Sequence, residues 1–151
     1  MSEKARAFIE RWRPVLESGA LVHFAYGPCA AETGNHCQIA DQFVEALGFK
    51  TIGFNWQLLD AGAPQGEVRS GLGELVKALT EDLVNPSRPW LSHQEGEACA
   101  KEFLDLFEAP ALTLVSNRYD GLWNPIASAA TEWGFVGFDH ETTALLLLAE
   151  R

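Results

Sequence analysis

Apolar residues recur along the chain with two different periods, and the switches between them lay out the elements. Ala5, Phe8, Ile9, Trp12 and Leu16 form one stripe at helical spacing, with Ser2 placed to cap the start and Gly19 to end it. Pro14 removes an intrahelical donor, which predicts a kink or a second short turn at that point. Residues 20–26 (ALVHFAY) suit a buried, pleated strand. The stretch 27–37 (GPCAAETGNHC) is a loop by its Gly, Pro, Thr and Asn content. A helix follows, with Ile39, Phe43 and Leu47 on one side joined by Ala40 and Val44, and Gly48 stops it. Residues 50–56 (KTIGFNW) read as the next strand, and Asp60 to Gly66 as a turn-rich connector.

From Glu67 to Val84 the helical period is clearest, with Val68, Leu72, Leu75, Val76, Leu79 and Leu83 on one face. Asn85 to Pro89 breaks it, and Ser92-His-Gln-Glu95 is a capping-box signature. The helix it opens carries Cys99, Phe103, Leu106 and Phe107 inward. Ala111 to Val115 reads as a short core strand, 116–125 (SNRYDGLWNP) as a polar loop, and Ile126 to Thr131 as one helical turn. The chain closes on WGFVGFDHETTALLLLAE, in which Trp133, Phe135 and Gly137 alternate with Gly134, Val136 and Phe138. Both faces are apolar, so this strand belongs in the interior. Asp139 to Thr142 supplies turn chemistry, and 143–149 returns as its partner. Gly134 and Gly137 weaken a strand unless a neighbouring group, such as an aromatic ring, comes close to the backbone. The expected architecture is α/β or α+β: one domain over 1–151, a single mixed sheet of about five strands with helices packed on it, and an antiparallel C-terminal hairpin.

Composition adds a charge to this picture. The 151 residues are 47% hydrophobic and 21% charged, as in a globular domain, and 21 acidic residues against 11 basic ones give a formal net charge of -10. That field disfavours nucleic acid and anionic membrane and favours a basic partner, although solubility alone accounts for it equally well. No uninterrupted apolar stretch of the kind a secretion signal or membrane span requires is present, so a cytoplasmic location is expected, with Cys29, Cys37 and Cys99 as reduced thiols.

The closing segment WGFVGFDHETTALLLLAE also resembles the C-terminal ends of small acidic immunity proteins of bacterial polymorphic-toxin systems. That resemblance covers the hairpin alone and implies binding to a toxin domain. It assigns no functional residue.

Three chemistries compete at the residue level. Cys37 stands before a helix start, with His36 beside it and His23 on the preceding strand, which is the raw material of a thiol-dependent enzyme. Adjacent residues seldom face each other, and no orienting third group is specified. Cys29, His36, Cys37 and His23 do not follow the paired spacing of a zinc site, so no metal and no cofactor are expected. Ser70-Gly-Leu-Gly73 lies inside a helical pattern and fails the context of a nucleotide-binding loop; close packing of helix against sheet explains its glycines better.

Acid is abundant on the helix from Ser92 (Glu95, Glu97, Glu102, Asp105, Glu108), and Glu81 and Asp82 are expected at a helix C-terminus, where negative charge opposes the dipole. Tyr119, Trp123 and the arginine of the same segment, Arg118, stand beside Asp120 and are residue types that dominate interface energetics. The leading expectation is therefore a non-enzymatic protein that neutralises a basic partner, a toxin domain by the resemblance above, by occlusion. Its expected contact residues are Tyr119, Asp120, Trp123, Asp139 and Glu141, with Glu95 and Glu102 of the acidic helix as the second choice. A homo-oligomeric scaffold paired through an uncovered hairpin edge is the remaining alternative.

Overall fold

A computed structural model describes residues 1–29 and 34–151. The loop expected over 27–37 therefore falls partly outside the described residues.

Four helices, α1 (Glu3–Leu16), α2 (His36–Ala46), α3 (Gly71–Thr80) and α4 (His93–Leu104), pack around one five-stranded sheet. Its strands are β1 (Leu21–Pro28), β2 (Gln57–Leu59), β3 (Thr113–Ser116), β6 (Glu132–Phe138) and β7 (Thr142–Ala149), in the order β1-β7-β6-β3-β2. Two short strands, β4 (Arg118–Tyr119) and β5 (Leu122–Trp123), form a separate hairpin. The fold class, the strand number and the closing hairpin agree with the sequence. Every pairing in the sheet is antiparallel, so it contains no parallel pair.

Caps written in the sequence set several boundaries. The side chains of Ser2, Asn35, Ser70 and Ser92 each accept a backbone amide at a helix start, and both Asn35 and Ser92 complete a capping box. Gly48 adopts φ 91° just past α2, a conformation natural to glycine. Helix α1 runs unbroken through Pro14 and ends two residues later.

The sheet is buried on both sides. Phe8, Trp12 and Leu16 of α1, Leu75 and Leu79 of α3 and Phe103 of α4 cover Leu114, Phe135, Leu146 and Leu148 on one face. On the other face Cys37, Ala40 and Val44 of α2, with Trp56 and Ile126, cover Val115, Val136, Leu145 and Leu147. This explains why the last hairpin is apolar in both phases: β7 lies between β1 and β6, and β6 between β7 and β3. The uncovered hairpin edge required by the scaffold alternative is therefore absent. At Gly137 an added Cβ would lie 2.8 Å from Phe107 Cζ, so the ring does approach the strand backbone as expected. Gly71 likewise lets α3 meet the sheet, since a Cβ there would lie 2.6 Å from Leu114 Cδ2.

Three local expectations are overturned. Residues 50–56 form no strand: a single 3₁₀ turn spans Gly53–Asn55, because the Asp41 carboxylate takes the amides of Ile52 and Gly53 and the Trp56 indole. The helix expected over 67–84 is confined to Gly71–Thr80. It stops when the chain turns extended at Glu81, which bridges to Pro89, while the carbonyls of Leu79 and Thr80 accept Leu91 and Trp90. Residues 126–131 form no helical turn, since the amides of Ile126 and Ala127 are taken by the side chain of Glu132.

Candidate functional site

The hairpin of β4 and β5 is held in place by a buried polar cluster. Asn117, fully buried, receives the amide of Gly134 on Oδ1 at 2.8 Å and donates Nδ2 to the carbonyl of Asn124 at 2.9 Å and to Glu132 Oε1 at 3.2 Å. Ser116 Oγ donates to Gly134 O and accepts Trp133 Nε1 and the amide of Arg118. Every buried side-chain polar atom among the described residues has a partner, as a settled polar core requires. The tip is a tight turn in which Asp120 (φ 49°) and Gly121 (φ 82°) both take left-handed conformations. An Asp-Gly pair is the sequence signal for such a turn, and reading 116–125 only as a polar loop passes over it.

That turn overhangs a cavity of about 260 Å³ between the hairpin and the end of α3. Glu74, Glu81, Asp82 and Asp120 line it against Lys77 and Arg118, with Trp133 as an apolar wall. The Arg118 guanidinium lies 4.5 Å from the Trp133 ring centroid. Burial lowers the Arg118 pKa, opposed by Glu81 and Glu74. Burial also raises the pKa of Glu74; Lys77 and Arg118 counter this, while Asp120 and Glu81 reinforce it. Asp82 is engaged by its own turn, accepting the amides of Val84 and Asn85, which hold its carboxyl below the usual range.

The expected contact residues separate into three places. Tyr119, Asp120 and Trp123 share the hairpin, with Asp120 exposed, Trp123 half-buried, and Tyr119 packed on the core beneath the Arg69 guanidinium at 4.4 Å. Asp139 and Glu141 sit at the opposite end of β6, whose seven residues span about 20 Å. The Asp139 carboxylate is occupied: burial raises its pKa, but the amides of Glu108, Glu141 and Thr142 and the Thr142 hydroxyl outweigh that and hold it at about 2. Glu141 is exposed. On α4, Glu95 closes the capping box, and Glu102 accepts Arg11 at 2.7 Å and the Trp12 indole at 3.0 Å. Glu97 is paired with Lys101 and Gln65. The acidic helix is thus largely matched within the chain, whereas Glu74, Glu81 and Asp120 close no ion pair among the described residues.

Among the described residues no hydrogen bond joins Cys37 to His23 or His36. Cys37 is 5% exposed, its Sγ donates to the Trp56 carbonyl at 3.7 Å, and burial followed by the charge of Asp41 raises its pKa. A thiolate is disfavoured there. His23 stacks edge-on against Phe49 with centroids 5.4 Å apart. Among the described residues no three His, Cys, Asp or Glu side chains gather as a metal site, and no helix is long and apolar enough to cross a membrane. No family model, curated protein or solved structure matches the chain.

Proposed function

We propose that this chain is an acidic binding protein that captures a basic partner on the face carrying Asp120, and that the partner is a toxin domain inhibited by occlusion. The observation that carries this reading is the excess of acid around the cleft, four carboxylates against Lys77 and Arg118. Glu74, Glu81 and Asp120 make no ion pair among the described residues, and burial raises the pKa of Glu74 despite Lys77 and Arg118, with Asp120 and Glu81 adding to the rise. An excess of like charge that Lys77 and Arg118 do not close into ion pairs favours an incoming cation.

The surroundings suit a protein partner. Leu122 and Val84, 63% and 64% exposed, belong to the hairpin and to the segment leaving α3, so apolar surface borders the acid. A rim of charge would speed encounter and a few buried apolar groups would slow dissociation. The toxin assignment rests on the likeness of the closing hairpin to immunity proteins, and the buried, doubly paired state of that hairpin confines it to a structural role.

The test is binding to the product of the adjacent reading frame, measured by titration calorimetry at low and high salt. Asp120→Lys should weaken binding at low salt and flatten the salt dependence. Binding that ignores both the substitution and the salt would refute this placement.

A further inference from the structure

Arg118 is an odd occupant of an acid-lined cavity. Its guanidinium carries five donors, yet among the described residues it makes no side-chain hydrogen bond and no ion pair; what holds it is the Trp133 ring, 4.5 Å away. About 260 Å³ of space remains open in the cavity it shares with Glu74, Glu81 and Asp120. Glu81 and Glu74 are close enough to be felt by Arg118, but no carboxylate among the described residues approaches it within an ion-pair distance. A cation and its counter-charges therefore share one cavity without closing on each other.

We propose that Arg118 is an internal stand-in for an arginine of the basic partner, and that docking displaces it from Trp133. This rests on the reading of the Asp120 face as the docking centre. An entering guanidinium would use two of the three carboxylates in forked hydrogen bonds and take over the indole face, while Arg118 swings out to water. A planar, stacking cation fits a Trp-walled cavity better than an ammonium does. Bare divalent metal fits worse, because Arg118 and Lys77 already stand among the carboxylates.

The probe is N-acetyl-L-arginine amide, which carries the cation without a free carboxylate. It is titrated into the full chain while the indole N–H resonance of Trp133 is followed by NMR. Saturable binding is expected, weakened about fivefold in Asp120→Asn. Arg118→Met keeps an apolar cover on Trp133 and removes the competing charge. If Arg118 fills the site about nine-tenths of the time, this variant binds the probe about tenfold more tightly.

Weaker probe binding in a folded Arg118→Met protein would overturn the proposal, because Arg118 would then be a contact and not a competitor. Equal binding of N-acetyl-L-lysine amide, or displacement of the probe by Mg²⁺, would overturn it as well. If Arg118→Met is unfolded by circular dichroism, the Asp120→Asn and lysine-amide comparisons decide alone. A partner whose binding is abolished by Asp120→Lys but unimproved by Arg118→Met would leave the docking face standing and remove the stand-in. A partner indifferent to Asp120→Lys would remove the docking face itself.

Discussion

The carboxylate of Asp139 accepts the backbone amide of Glu108 at 2.9 Å, tying the turn between β6 and β7 to the segment that leads into β3. The same side chain also takes the amides of Glu141 and Thr142, so it closes its own turn and anchors it to a distant one. Its folded pKa of about 2 lies below that of a free aspartate, about 3.9, so its contribution is complete above that value and fades as pH falls through about 2. Asp139→Ala should lower stability at neutral pH by about 2 kcal/mol. Urea unfolding should show the gap to wild type narrowing between about pH 4 and pH 2; a gap that stays constant would contradict the assignment.

Glu132 is a fully buried carboxylate whose partners are the amides of Ile126 and Ala127 and the side chain of Asn117. Removing it in Glu132→Ala strands those donors in the interior, at about 3 kcal/mol. Glu132→Gln, which keeps one acceptor, should cost less. Amide exchange at Ile126 and Ala127 should accelerate in both variants, and unchanged exchange would argue against this anchor.

At Gly137 there is no room for a methyl group beside Phe107. Gly137→Ala should destabilise by about 2 kcal/mol through overpacking, and combining it with Phe107→Leu should cost less than the sum of the two changes. Strict additivity in denaturant midpoints would show that the two positions do not meet.

Cys37 is nearly inaccessible, and burial and Asp41 both raise its pKa. Alkylation by iodoacetamide at neutral pH should be far slower than for a free thiol and should speed up only on adding denaturant. Rapid labelling of Cys37 in the native protein would reopen the thiol-enzyme reading.

What the sequence showed most clearly was whatever depends on near neighbours. The Ser92 capping box, the stop at Gly48 and the two apolar phases of the last hairpin all appear as expected. The misreadings come from side chains reaching across the fold. Asp41 draws in the amides of Ile52 and Gly53 and turns an apparent strand into a 3₁₀ turn, a contact no local pattern contains. Leu83 is buried beyond the end of α3, so its apolar period continues although the helix does not. At the candidate site Asp120 was legible from its company with Tyr119 and Trp123. So was Arg118, two residues away, but Glu74 and Trp133 were not, because they come from α3 and β6, which only tertiary packing brings beside the hairpin. On α4 the engagement of Glu102 was not legible for the same reason: its partners Arg11 and Trp12 of α1 are about 90 residues away in sequence.

The most direct test of the docking claim is amide hydrogen exchange on the chain, free and bound to the product of the adjacent reading frame. Capture of a basic partner at the Asp120 face predicts new protection over residues 118–123 and 81–86, with α2 and the turn between β6 and β7 unchanged. Protection confined to α2 or to that turn, with none on the hairpin of β4 and β5, would contradict it.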